Sequence, residues 1–188
     1  VSTRELVYFV AVSLDGFIAA PDGGYGDFTA EPELLHEFTD AFPSHVQRLA
    51  GVRVDRSRFD TVVMGWNTCT PALDEGIESP YAHLRQYVVA SPGRRVGADV
   101  HLVHDAVATV RALKAEPSGT AIHLAGGGRL AGSLLDEIDR LVLKVSPVVL
   151  GDGVPLFGRA GYSPRPLRVL EQRRFGSGLT LVEAVPRR

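Results

Sequence analysis

Three consecutive glycines, Gly126, Gly127 and Gly128, follow the apolar run Ala121–Ala125 and precede a short apolar segment from Arg129 to Asp136. A strand that passes into a helix through residues without Cβ leaves bare backbone N–H groups beyond the strand's carboxyl end. A diphosphate can approach such backbone closely, and a helix start favours its charge. A phosphate cradle is one reading of this loop, and close packing of helix on strand is the other. A second seam of the same kind reads Met64-Gly65-Trp66-Asn67-Thr68. Here Asn67 and Thr68 offer polar groups to another phosphate, while Trp66 would stack on a base or fill the rim of the core. A third strand end, Ala90-Ser91-Pro92-Gly93-Arg94-Arg95, offers a hydroxyl and two guanidinium groups. Ser91 and Arg94 suit a phosphate, although paired loop arginines also serve as solvated surface.

Two carboxylates stand near the first of these elements. Asp15 closes the first apolar run, and Asp27 lies in Tyr25-Gly26-Asp27-Phe28. Each is a candidate proton donor, and Asp15 also a candidate substrate anchor. The competing readings are a turn residue before Gly16 and a loop carboxylate. His101 and His104 are three apart on a short strand and would face opposite sides, so no metal set is expected. His123 reads as a satisfied core or pocket histidine, and Cys69 as a small packed residue at a helix start.

The elements that must position these groups follow from apolar patterning. Leu6–Leu14 is continuously apolar and suits a strand buried on both faces. Thr61–Met64, Gln86–Ala90, Val100–Val103 and Ala121–Ala125 are shorter strands, and Leu141–Leu150 a long one. Glu31–Ala50 has helical spacing split by Pro43. A helix over Asn67–Asp74 would be capped by Asn67, or by Thr70 with Pro71 at its first position. Asp105 caps a helix reaching Ala115. Leu167–Phe175 and Leu179–Val185, joined by Gly176-Ser177-Gly178, form a terminal hairpin. Pro155-Leu156-Phe157 reads as an exposed apolar stretch. Alternating strands and helices followed by a hairpin predict an α/β fold with a mostly parallel, mixed sheet.

Composition limits the function classes. The chain has 188 residues, 45% hydrophobic and 22% charged, with a net charge of -2. One domain over residues 1–188 is expected. A near-neutral chain without a basic block argues against a nucleic-acid binder. A single cysteine suits a cytoplasmic setting. No run approaches the length of a membrane span, and Glu5 and Asp15 flank the first apolar run, unlike a secretory signal. A Rossmann dinucleotide fold is a rival, since Gly126, Gly128 and Ala131 satisfy a loose G-x-G-x-x-A pattern. It fits poorly, because that loop should open the first βαβ unit.

Four stretches together resemble a known family: VSLDGFIA (Val12–Ala19), VVMGWNT (Val62–Thr68), LAGGGRLAGSLL (Leu124–Leu135) and LKVSPVVLGDGVPLF (Leu143–Phe157). The chain resembles the dihydrofolate reductase-like superfamily, in the branch holding the reductase domain of bacterial riboflavin biosynthesis. That resemblance implies a three-layer α/β/α fold and a bound NADPH. It places Gly126, Gly127, Gly128, Arg129 and Leu130 along the diphosphate, and Gly65 and Thr68 at the second phosphate turn. Ser91 matches the position near the adenosine 2′-phosphate, Ile18 and Ala19 would face the nicotinamide, and Asp15 sits beside the substrate. Where the family usually has Arg after the second-turn glycine, this chain has Trp66, which opens NADH as well as NADPH. Arg94 or Arg95 is the residue that would compensate. The zinc deaminase signatures H-x-E and P-C-x-x-C are absent from the sequence. The implied activity is hydride transfer to a small heteroaromatic or carbonyl substrate, in a homodimer. A non-catalytic nucleotide- or flavin-binding protein of the same fold is the alternative.

Overall fold

The computed structural model describes residues 4–54, 57–158 and 160–187. β1 (Leu6–Val12) leads through a turn to the short β2 (Phe17–Ala19). α1 (Pro32–Glu37) and α2 (Ser44–Leu49) flank a 3-10 turn at Thr39–Ala41, and Pro43 separates them as its fixed φ requires. β3 (Phe59–Gly65) runs directly into α3 (Trp66–Asp74). β4 (Arg85–Val89), β5 (Val100–Val103) and α4 (Ala106–Lys114) follow. β6 (Ala121–Leu124) enters α5 (Gly128–Ser133) through the glycines, and β7 (Arg140–Val145) comes next. β8 (Val154–Pro155) and the hairpin β9 (Leu167–Arg174) and β10 (Thr180–Pro186) complete the chain.

Eight strands form one sheet in the order β5-β4-β3-β6-β1-β7-β10-β9, parallel from β5 to β7 and antiparallel at β10 and β9. Two apolar cores lie on its faces. One joins Phe9, Val62 and Met64 to Leu34, Phe38 and Cys69 of α1, the 37–42 segment and α3. The other joins Leu6, Tyr8 and Val63 to Val110 and Leu113 of α4 and to Leu130, Ala131 and Leu134. The result is a three-layer α/β/α sandwich with a mixed, mostly parallel sheet and a C-terminal hairpin. Continuous apolarity in β1 is explained by burial on both sides.

Several expectations are corrected. The strand drawn from Leu141 to Leu150 ends at Val145. Ser146 turns its hydroxyl to the Thr29 N–H (3.1 Å), and Pro147 has no N–H to continue the ladder. Neither Asn67 nor Thr70 caps α3: Gly65 is the N-cap, Thr70 donates its hydroxyl to the Trp66 carbonyl (2.9 Å), and Pro71 lies inside the helix. Asp105 does cap α4, accepting the Ala108 N–H at 2.9 Å. Of Pro155-Leu156-Phe157, only Pro155 is exposed. Leu156 and Phe157 pack on the second core, with the Phe157 ring 5.9 Å from that of Tyr8. The pairing of β2 with β8, too short to show a period, is not readable from the sequence.

Candidate cofactor and substrate site

Because β4, β3, β6 and β1 are adjacent and parallel, Ser91, Gly65, Ala125 and Ser13 all leave the sheet at one edge. The two glycine seams are tied together there, the Gly65 N–H donating to the Gly126 carbonyl at 3.1 Å. Gly126 has a φ of 106°, a region that L side chains rarely adopt. A Cβ on Gly126 or Gly127 would meet only Thr68 Oγ1, at 3.9 and 3.8 Å. α3 and α5 begin at Gly65 and Gly127 with no side-chain cap, so their first-turn N–H groups are left to face this edge. Open backbone, uncapped N–H donors and a hydroxyl suit the phosphates of a nucleotide.

The third glycine differs. A Cβ on Gly128 would overlap the Pro155 carbonyl oxygen, and the residue is buried. Its bareness serves the packing of α5 against the 155–158 turn, so the close-packing reading holds there. Leu130 is buried in the second core, whereas Arg129 is exposed. At the other seam Trp66 is half-buried against the first core and Asn67 is exposed. Arg94, exposed beyond Ser91, reaches back so that its guanidinium lies 4.8 Å from the Trp66 ring centre. The structure thus brings Arg94 to the second seam, a proximity that chain spacing does not reveal.

Asp15 is exposed and fully engaged as an acceptor. It takes hydrogen bonds from Ser13 Oγ (2.6 Å), Gly151 N–H (2.7 Å) and Leu150 N–H (3.1 Å). The Ser13 hydroxyl above all, with these amides, holds its carboxyl down to about 2. Asp15 therefore ties the end of β1 to the 150–151 turn as a carboxylate. Ile18 and Ala19 lie in β2, whose partner β8 leads to the Pro155 carbonyl against Gly128. The residues expected at the nicotinamide are so linked by backbone to the glycine loop. Asp27 is exposed in the following turn.

The sheet face under α1 and α2 holds a group the sequence does not single out. Lys144 of β7 places its Nζ over the rings of Phe9 and Phe42, at 4.4 and 4.9 Å from their centres. Burial pushes its ammonium down to about 8. His123 of β6 lies on the same face, 6.1 Å from the Phe9 ring. It is a core histidine: burial pushes its pKa down to about 3, opposed in part by a hydrogen bond with the Phe9 backbone. Burial likewise raises the Cys69 thiol, which is packed and free of a disulfide.

A cavity of about 660 Å³ opens at the opposite, amino edge, between Asp60, His83, Arg85 and Glu116. Its charges already answer one another: Arg4 pairs with Asp60 and Glu116, and Arg85 with Glu116 at 2.6 Å. Among the described residues, no group of three His, Cys, Asp or Glu side chains could hold a metal, and no helix is long and apolar enough to cross a membrane.

This edge, with two glycine seams on a mixed α/β/α sheet, defines a protein of the dihydrofolate reductase-like class. The chain belongs to the RibD C-terminal domain family, whose model matches residues 4–181. It is 30% identical over 181 residues to the uncharacterized protein YwjB of Bacillus subtilis (strain 168), covering 95% of this chain and 96% of that one. A crystal structure of a protein assigned to riboflavin biosynthesis, from Shewanella sp. PV-4, superposes with a TM-score of 0.75. It shares 25% identity and covers 98% of this chain and 100% of its own. The diaminohydroxyphosphoribosylaminopyrimidine deaminase/5-amino-6-(5-phosphoribosylamino)uracil reductase of Thermotoga maritima shares the fold at a TM-score of 0.67. There the identity is 16%, with 98% of this chain and 57% of that chain covered. Family membership and fold support a reductase-type enzyme.

Proposed function

We propose that this chain is a nicotinamide-nucleotide-dependent reductase, using NADPH or NADH, that acts on a small heteroaromatic or carbonyl substrate. The observation that supports it best is the joined pair of seams, with Thr68 Oγ1 facing the bare backbone of Gly126 and Gly127. On this reading Gly65, Thr68, Gly126, Gly127 and the first N–H groups of α5, at Arg129 and Leu130, hold the diphosphate. Asn67 and Ser91 offer polar groups beside it, and Arg94 stacked on Trp66 supplies a cation for an adenosine 2′-phosphate. Ile18 and Ala19 of β2 bound the reacting end. When bound, the reduced nicotinamide supplies a hydride.

The remaining work belongs to the chain. Asp15, already ionised, is a fixed acceptor and anchor, because so strong an acid holds no proton to give near neutral pH. Asp27, exposed on the loop after β2, is the other candidate acid. Buried Cys69 suits a reducing, cytoplasmic compartment. The exposed Leu167, Val169 and Leu170 of β9 suit a second copy, with sedimentation velocity as the check.

Trp66 is the only tryptophan, so its emission reports directly on the site. NADPH and NADH are titrated against it. Saturable quenching by either, followed by nucleotide oxidation with pterin or pyrimidine acceptors, is the expected result. A protein whose Trp66 emission ignores both nucleotides is not this enzyme.

A further inference from the structure

Lys144 and Lys114 are the only lysines in the chain, and their surroundings contrast. Lys114 is answered by Asp139 at 2.6 Å and by the Glu137 carbonyl at 2.9 Å. Lys144 meets only aromatic faces, with no carboxylate pairing with it among the described residues. It stands next to last in β7, opposite Ala11 of β1 and Leu181 of β10. The Phe9 ring beneath it also touches Phe38, at 4.9 Å between centres, and Phe42, at 5.8 Å. A buried ammonium held this way lacks a counter-charge among the described residues, and aromatic faces compensate it only in part.

Its position in the fold gives that missing charge a source. β7 is two strands from β6, about 10 Å at ordinary strand spacing, and Lys144 lies towards the carboxyl edge where the glycine turn begins. The loop after β2 comes down at the same corner, where the Thr29 N–H meets Ser146, two residues past Lys144. We infer that Lys144 is the specificity-determining cation of the substrate subsite, taking an anionic oxygen on the rim of a planar heteroaromatic substrate. The inference rests on the reductase reading, which places a substrate at this edge.

The ammonium carries three N–H donors, which an oxyanion can accept from. A matched neutral ring leaves the cation uncompensated. The site therefore favours acids, and that preference fades above pH 8, where Lys144 loses its proton. The other titratable or charged groups on this face include His123, His83, Asp40, Cys69 and Tyr81, with Arg140 paired to Glu5 and Glu183 further along β7. His123 is neutral across that range. His83 meets Ser44 Oγ, Gln47 Nε2 and the Asp40 carbonyl, and Asp40 Oδ2 accepts the Arg58 and Phe59 N–H groups. Arg58 lies over Phe38, 4.3 Å from its centre.

The test is calorimetric titration at pH 7 with two matched pairs, pterin-6-carboxylate against 6-methylpterin and orotate against uracil. The wild-type protein should hold the acid of one pair at least about tenfold more tightly than its neutral partner, and Lys144→Met should reduce that ratio to within about twofold. A second readout needs no variant fold. In protein carrying labelled lysine, the Lys144 side-chain resonance should titrate near pH 8 and move on addition of the preferred acid, while that of Lys114 stays in place. No acid preference in the wild type, a preference that survives Lys144→Met, or an unmoved Lys144 resonance overturns the inference. NADPH is titrated into the wild type alongside, through Trp66 emission. A failure there counts against the reductase reading alone, since the acid comparison uses no nucleotide.

Discussion

Gly128 is seated against Pro155 so closely that a Cβ would collide with the proline's carbonyl oxygen, while a Cβ on its neighbour Gly127 would only touch Thr68 Oγ1, at 3.8 Å. Two adjacent glycines are thus bare for different reasons. One lets α5 pack on the 155–158 turn, and the other keeps backbone accessible at the carboxyl edge.

That difference separates stability from binding. Gly128→Ala forces backbone apart and should cost about 2–4 kcal/mol in a urea melt. Gly127→Ala adds a methyl in ordinary contact with Thr68, in an extended conformation that alanine tolerates, and should change the melt by less than about 1 kcal/mol. Its Trp66-monitored affinity for NADPH should nevertheless fall by about tenfold or more, because the methyl fills the space a phosphate would use. Equal losses of stability in both variants would refute the division.

Arg94 is expected to set the choice of nucleotide. Arg94→Ala should weaken NADPH about ten- to hundredfold, the range of a lost charge-assisted hydrogen bond, and leave NADH within about twofold. Parallel losses for the two nucleotides would place Arg94 on the diphosphate or outside the site.

Asp15 predicts an acid limb. Its carboxyl titrates at about 2 in the folded chain against an ordinary 3.8, so the folded state binds the proton more weakly than the unfolded one. The resulting stabilisation is complete above about pH 4 and disappears as pH falls towards 2. Urea midpoints of the wild type should drop across that window, and Asp15→Asn should flatten this part of the profile. A variant with an unchanged slope would show that the Ser13 and 150–151 contacts do not hold in solution.

His123 acts over a different range. Burial lowers its pKa from 6.5 to about 3, so the unfolded chain takes up a proton that the folded chain refuses. Wild-type stability should therefore fall as pH drops below about 6.5, by about 1.4 kcal/mol per pH unit for the full effect of one proton. His123→Leu, similar in volume, should match the wild type at pH 7 within about 1 kcal/mol and exceed it increasingly in acid. Superimposable profiles would mean that the imidazole reaches water or a partner.

Much of the parallel core is legible in the residues themselves. β1 and β3 are apolar on both faces because both are covered, and Asp105 marks the start of α4 by the cap it makes. What is not legible depends on distant chain. Whether Asp15 gives a proton or accepts bonds turns on the amides of Leu150 and Gly151, about 135 positions away. Lys144, one polar residue in LVLKV, looks like ordinary strand alternation until sheet register sets it over Phe9 and Phe42. Gly128 and Gly127 look alike in sequence, since only the path of the 155–158 turn distinguishes them.

The two-stranded pairing of β2 with β8 joins segments far apart in the chain by a handful of backbone bonds. Such a long closure with so little burial opens at a lower free energy than the eight-stranded sheet. Amide protons at Phe17–Ala19 should therefore exchange with solvent through local opening, far sooner than those of β1. The corner that shelters the reacting end would then be a separately melting unit, which ligands tighten by binding to its closed form.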